Sequence, residues 1–209
     1  MTITLEMNIM KIGIIGASRL GQTLARHLSA IGIEVIIANS RGPETLAALT
    51  AELGSNVSAG TPDDAATCDM TIIAVPWTRV EELLESLPDW NGRILIDATN
   101  AFLSYAPDFE LADLGGRASS EILAEQAPGA RVVKAFNTLD ARLLSRNPRE
   151  PGGRRVMFIS GDDAGAKGDV SSILAALGFA VIDLGGLADG GRIQQVGGPL
   201  AGHDLLKAG

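Results

Sequence analysis

The chain has 209 residues, a formal net charge of −8 and a hydrophobic fraction of 46%. This length and composition allow one domain of ordinary size with a full core, and they leave no room for a second large domain. The acidic balance argues against a nucleic-acid partner, one cysteine and two histidines leave little for a metal site, and no apolar run reaches membrane-spanning length. We therefore expect a cytoplasmic protein that acts on a small-molecule substrate, with no nucleic-acid and no membrane partner.

Strand-like and helix-like segments alternate along the chain. Seven short segments are β-branched and nearly continuously apolar, as strands covered on both faces should be: 11–16, 33–39, 70–75, 93–99, 131–136, 154–160 and 179–184. In the first intervening stretch, Leu20, Leu24, Leu28 and Ile31 fall on one helical face. The pattern predicts an α/β fold with a doubly wound, mainly parallel sheet of the Rossmann type, in a single domain over 10–209 with a short C-terminal extension.

The remaining segments carry weaker signals. Residues 1–9 lack a signal-peptide pattern and are interpreted as an N-terminal extension. The Gly/Pro-rich segments 146–155 and 185–199 are predicted to be loops, and Asp162 or the residue after it is expected to cap a helix. His27 is expected on the exposed face of the first helix, and neither histidine is a good candidate for a general base.

The first predicted strand enters a helix through a turn that nearly matches the dinucleotide fingerprint G-x-G-x-x-G. Gly16 permits the tight turn, and Gly21 lets helix and strand approach closely. Ser18 takes the place of the middle glycine; its side chain is small, and its hydroxyl can donate to a phosphate oxygen. The alternative is a strand-to-helix turn that holds no ligand. We take the whole turn as the candidate pyrophosphate site: Gly16, Ala17, Ser18, Arg19, Leu20 and Gly21.

The second predicted strand ends on Asn39, Ser40 and Arg41. An enzyme that uses NAD carries Asp or Glu at this point to hold the adenosine ribose hydroxyls. Here Arg41 offers a forked guanidinium to a 2′-phosphate, Ser40 adds a hydroxyl donor, and no carboxylate repels the dianion. These residues favour NADP(H) as the cofactor, and the alternative is a solvated loop.

Later strand ends carry unusual and polar residues. Val75, Pro76 and Trp77 suit a wall beside the nicotinamide, the alternative being a tryptophan packed under a loop. Amide and hydroxyl groups follow at two further strand ends, where a carboxamide or a substrate ring edge can be hydrogen-bonded; strand-end caps are the alternative. These groups belong to Asn100, Asn137 and Thr138.

The succession KIGIIGASRLG, ANSRGPETL, AVPW, IDATN, VVKAFNT, ISGDD and GFAVIDLGGL resembles the NADPH-dependent deazaflavin-coenzyme (coenzyme F-420) reductase family. It is also similar to the related cytosolic oxidoreductase domain of six-transmembrane metalloreductases. The resemblance implies that the glycine turn holds the pyrophosphate, that Ser40 and Arg41 hold the 2′-phosphate, and that the V-P-W and K-A-F-N-T segments line the nicotinamide and a flavin-like partner. It thereby adds Ala135 to the cofactor-binding residues and makes Phe136, Asn137 and Thr138 the substrate-binding residues.

The hydride acceptor is left open between three hypotheses. Reduction of a small carbonyl or imine needs a positioned acid, usually on an added helical domain, whereas only 25 residues follow Leu184. A flavin or deazaflavin takes the hydride on its own ring, and this acceptor is favoured. A non-catalytic NADP(H)-binding sensor is the third hypothesis. The short C-terminal segment also suggests a homodimer in which a second subunit completes the site.

Overall fold

The computed structural model describes residues 10–208, and its centre is a ten-stranded sheet flanked by helices. The predicted N-terminal extension, 1–9, lies outside the described residues. The strands are β1 (Lys11–Ile15), β2 (Glu34–Ala38), β3 (Val57–Gly60), β4 (Met70–Ile73), β5 (Ile94–Asp97), β6 (Phe102–Ser104), β7 (Glu110–Leu111), β8 (Arg131–Lys134), β9 (Arg149–Glu150), β10 (Gly153–Gly161), β11 (Ala180–Asp183) and β12 (Leu206–Lys207). The helices are α1 (Arg19–Ala30), α2 (Ala47–Leu53), α3 (Pro62–Ala66), α4 (Val80–Ser86), α5 (Ser119–Gln126), α6 (Ala141–Leu144), α7 (Ala164–Ala176) and α8 (Leu187–Gln194), with 3₁₀ turns at Pro43–Leu46 and Trp77–Arg79.

The strand order across the sheet is β11-β10-β8-β5-β4-β1-β2-β3. The strands from β8 to β3 are parallel; β10 is antiparallel to β8, and β11 is parallel to β10. The chain moves outward from β1 through β2 to β3 and then returns to place β4 on the other side of β1. This arrangement confirms the predicted doubly wound, mainly parallel Rossmann-type sheet. Its switch point lies between β1 and β4, where such sheets bind ligands at the carboxyl ends of the strands.

Helices bury both faces of the sheet, which explains the continuous apolar runs. Successive strand residues point to opposite faces, so Ile14 joins one core cluster and Ile15 the other. Ile72 and Ile73 divide between the two clusters in the same way. The predicted apolar face of α1 packs on the first cluster through Leu20, Leu24, Leu28 and Ile31.

The prediction that 185–199 is a loop was wrong, because α8 occupies most of it. Gly190 and Gly191 lie inside this helix, where they pack closely on neighbouring segments. A Cβ on Gly190 would stand 2.7 Å from the carbonyl oxygen of Leu184, and one on Gly191 would stand 3.1 Å from the Cβ of Ala118. These glycines therefore permit close helix packing, although glycine in a helix interior ordinarily disfavours the helix.

Three smaller predictions also needed correction or refinement. His27 is half-buried, and its Nε2 lies 2.6 Å from the carbonyl oxygen of Leu144 in α6, so the ring donates there and does not face open solvent. The segment 146–155 contains β9 and the start of β10, so it is not wholly a loop. Asp163 caps α7 by accepting from the N–H of Ala166 at 2.7 Å, as one of the two predicted alternatives required.

Candidate active site

The glycine turn brings β1, α1 and β4 into close contact. Gly16 has a φ of +119°, and a Cβ there would overlap the carbonyl oxygen of Ala74 just after β4. Its N–H donates to the carbonyl of Ala38 at 2.9 Å. A Cβ on Gly21 would overlap the carbonyl oxygen of Gly16. Both glycines are thus required by the backbone itself, as predicted from their positions in the turn.

Ser18 is the N-cap residue of α1, but its hydroxyl makes no capping hydrogen bond. The first turn of α1 carries no acidic residue, so its free N–H groups and the hydroxyl of Ser18 offer an uncontested anion site. Arg19 is exposed and does not line the cleft. It lies near Asp140, whose pKa is lowered mainly by the backbone N–H of Arg142 and to a smaller extent by Arg19.

Asn39 shapes the loop that follows β2. Its Oδ1 accepts from the N–H of Arg41 at 2.8 Å, and its Nδ2 donates to Thr45 Oγ1 at 2.9 Å. This turn leaves Ser40 and Arg41 exposed on the loop, as Asx turns commonly do for the residues they enclose. The ion pairs found among residues 10–208 do not include Arg41.

These elements open onto one cleft of about 790 Å³ at the carboxyl ends of β1, β2 and β4. Eight of the predicted cofactor residues line it: Gly16, Ala17, Ser18, Asn39, Ser40, Arg41, Val75 and Pro76. Sequence reasoning missed a further wall formed by Pro62 and by Arg79, Glu82, Leu83 and Ser86. The residues present fit a dinucleotide, because a helix N-terminus with a free hydroxyl stands beside a loop that presents a serine and an uncommitted arginine.

Other predicted residues lie behind the cleft or farther along the sheet edge. Leu20 and Gly21 belong to the packing of α1, and Trp77 is half-buried against the second core cluster. Ala135, Phe136, Asn137 and Thr138 are buried in the loop after β8. None of these residues lines the cleft, so any contact with a ligand stays a prediction.

The loop after β8 is held by a buried amide network. Asn137 Nδ2 donates to Asn100 Oδ1 at 3.2 Å and to the carbonyl oxygen of Gln194 at 2.7 Å, and Asn137 Oδ1 accepts from Gln194 Nε2 at 2.9 Å. Phe136 adopts a φ of +64°, which is strained for a residue with a side chain. Strained backbone of this kind persists only when its surroundings hold it, and it is found preferentially at functional sites.

A fully buried ion pair, which sequence reasoning missed, lies beneath the same loop. Lys134 Nζ is 2.9 Å from Asp97 Oδ2, and both side chains are completely inaccessible. Asp97 also accepts from Ser120 and from Thr99, while Lys134 donates to Ser119 Oγ at 3.2 Å. Burial raises the pKa of Asp97, but Lys134 and the hydroxyl donors outweigh it, so the net pKa is lowered. The pair therefore joins the ends of β5 and β8.

A second pocket of about 330 Å³ lies beyond these strand ends. It is lined by residues after β5, including Ala101, Leu111 and Arg117, and by Arg192 and Gly197 at the end of α8 and just after it. The β6–β7 hairpin borders it and contacts the Trp77–Arg79 turn. Among the described residues, this hairpin carries four of the exposed large hydrophobic side chains: Leu103, Tyr105, Phe109 and Leu111.

Two kinds of feature are absent from residues 10–208. Within that range, no group of three or more His, Cys, Asp and Glu side chains is arranged to hold a metal ion. No helix in the same part of the chain combines the length and the apolar character needed to cross a membrane.

The fold is of the Rossmann type, and the cleft at its switch point has the groups that a dinucleotide site needs. Comparison with known proteins agrees: the family model described as "NADP oxidoreductase coenzyme F420-dependent" matches residues 11–101. A solved protein of Arthrobacter sp. FB24, assigned as an F420-dependent NADP-reductase, is 30% identical with a TM-score of 0.71, and the alignment covers 85% of this chain and 86% of that one. The chain belongs to this F420-dependent NADP oxidoreductase family, which confirms the resemblance given by the motifs.

Two other relatives differ in how much of their own length this chain covers. The protein SMa0349 of Sinorhizobium meliloti is 45% identical, with a TM-score of 0.89 and coverage of 95% of this chain and 96% of that one. The metalloreductase STEAP3 of Rattus norvegicus is 30% identical over 187 residues, which are 89% of this chain but only 36% of the rat protein. The chain therefore spans about a third of the length of that relative.

Proposed function

We propose that the protein transfers a hydride between NADP(H) and a flavin or deazaflavin acceptor of the coenzyme F-420 type. The observation that carries this proposal is the pair of pockets along one sheet edge. The cofactor cleft lies over β2, β1 and β4, and the second pocket lies past β5 and β8. A dinucleotide that extends from the cleft toward the second pocket brings its nicotinamide between the two.

The second pocket suits a flat ring. Leu111 and Ala101 give it an apolar side, and backbone at Gly197 allows a close approach. Arg117 and Arg192 lie at its edge. Arg117 is paired with Glu125, and Arg192 is paired with Asp189. When bound, NADPH would supply the hydride, and the acceptor ring would take it together with a proton from water.

The chain's own contribution is then alignment of two rings. The buried amide network and the Asp97–Lys134 pair fix the strand ends that would lie between the two pockets. Holding reactants at near-attack distance is worth a large part of a reaction barrier, so rigid strand ends serve this chemistry. The strained Phe136 belongs to the same fixed segment. In this proposal the buried Ala135, Asn137 and Thr138 support the site from behind, and the half-buried Asn100 borders the nicotinamide.

The test is oxidation of NADPH, followed by its absorbance, with riboflavin, FMN, FAD, the deazaflavin coenzyme and a panel of small carbonyls and imines. We expect turnover with a flavin or the deazaflavin and none with the carbonyl panel. Leu111→Trp should fill the second pocket and abolish turnover while leaving NADPH affinity unchanged. Leu103→Trp, on the same hairpin but outside the pocket lining, is the matched control and should keep full activity.

Other results would select other functions. Turnover of a carbonyl or imine but of no flavin would identify a reductase of small substrates. Tight NADPH binding with no turnover of any acceptor would favour a non-catalytic NADP(H) sensor. Equal loss of activity in the Leu111 and Leu103 variants would show that the hairpin matters for folding and not as an acceptor site.

A further inference from the structure

The wall of the cofactor cleft that faces the Ser40–Arg41 loop is one face of a helix. Arg79, Glu82, Leu83 and Ser86 all line the cleft, and their spacing of three, four and seven residues places them in one stripe. The stripe follows β4, whereas the Ser40–Arg41 loop follows β2, and β1 lies between these two strands. Two strand spacings amount to about 10 Å, which leaves room for a flat ring between the two walls.

The guanidinium of Arg79 makes a hydrogen bond to Glu82 along one of its edges. Its Nη1 lies 3.2 Å from Glu82 Oε2 one helical turn away, and both side chains are mostly exposed, at 71% and 77%. A guanidinium uses its edge for hydrogen bonds and its flat faces for stacking. The pairing with Glu82 therefore orients the group and offsets its charge, while the faces of the guanidinium stay available to an aromatic ring.

The other groups of the cleft suit different parts of the dinucleotide. Leu83 and Pro62 give this wall an apolar surface, which suits a base and does not suit a phosphate. Arg41, on the opposite loop, has no ion-pair partner among residues 10–208 and is the cation left for the 2′-phosphate. We propose that Arg79, oriented by Glu82, stacks on the adenine of the bound dinucleotide and so binds NADPH and NADH alike. This inference rests on the dinucleotide binding of the proposed function.

The experiment compares dissociation constants of NADPH, NADH and reduced nicotinamide mononucleotide, which lacks the adenosine. Arg79→Ala should weaken NADPH and NADH by the same factor, about fivefold, and should leave the mononucleotide unchanged. Arg79→Lys keeps the positive charge but not the plane, so it should lose nearly as much affinity as the alanine variant.

The control is Arg26→Ala. Arg26 is an exposed arginine of α1 that is paired with Glu52 of α2, and it lies outside the cleft lining. This substitution should change none of the three constants. Loss of affinity for NADPH alone in Arg79→Ala would overturn the inference and place Arg79 on the 2′-phosphate. Full affinity in Arg79→Lys would overturn it in favour of a pyrophosphate contact, and unchanged affinity in Arg79→Ala would make the residue part of the solvated rim. Failure of the unsubstituted protein to bind either dinucleotide would refute the proposed function itself.

Discussion

Substitution of Lys134 by methionine tests how the strand ends of the active site are held. Methionine fills a similar volume but removes the ammonium group, which lies 2.9 Å from Asp97 Oδ2, 3.3 Å from the carbonyl oxygen of Thr99 and 3.2 Å from Ser119 Oγ. The Asp97 carboxylate then stays buried with only the Thr99 and Ser120 groups as donors. Removing one partner of a buried pair typically costs about 3–5 kcal/mol, and we expect a loss in that range.

The assay is urea and thermal unfolding followed by circular dichroism, with Asp97→Asn and the double variant measured beside it. In a chain of this size, about 3 kcal/mol lowers the melting temperature by roughly 6–12 °C. The double variant should lose less stability than the two single losses summed, because it leaves no buried charge without a partner. A Lys134→Met loss below about 1 kcal/mol, or additivity of the two single effects, would refute the assignment of a coupled buried pair.

Four further predictions concern the cofactor, the turn, the pH dependence and the assembly. Arg41→Ala should weaken NADPH about tenfold and spare NADH in fluorescence titrations, and equal weakening would make Arg41 structural. Ser18→Gly should bind NADPH within about 1 kcal/mol of the original protein, whereas Ser18→Leu should block binding while the protein stays folded; normal binding by Ser18→Leu would remove the phosphate site from this turn. The pKa of Asp97 is lowered below 3.8, so its stabilising contribution is present above that pH and is lost as the pH falls through the folded-state pKa. Urea midpoints measured against pH should therefore show the gap between the original protein and Asp97→Asn closing in acid. Sedimentation equilibrium should show a homodimer, and a monomer at all concentrations would contradict that expectation.

Most of the parallel part of the sheet could be predicted because its strands have a local sequence pattern. Each is a short apolar run covered on both faces, and all seven predicted strands are present. β3 was missed because its four residues, V-S-A-G, are short and contain an exposed serine and a glycine. The reversed direction of β10 relative to β8 depends on which strands pair, and an apolar run carries no information on direction.

The buried ion pair had a signal in the sequence that was not used. Asp97 ends the run I-L-I-D, and Lys134 ends the run R-V-V-K. Charges at the ends of two apolar strands must be either exposed or paired, because a lone buried charge is too costly. Only the adjacency of β5 and β8 in the sheet decides between these two outcomes, and that adjacency is a property of the topology.

The two halves of the site differ in how far apart their residues lie in the chain. The glycine turn is complete within residues 16–21 and the Ser40–Arg41 loop within 39–41, so short motifs suffice to select the segments that line the first cleft. The second pocket joins residues 101–117 to 192–198, and its shape depends on packing between segments that share no local pattern. Under the proposed function, substitutions at the pocket-lining positions 195–198 should therefore change which acceptor is used while dinucleotide affinity stays constant. Under the proposed function, the identity of the acceptor therefore depends on the contacts between these two distant segments.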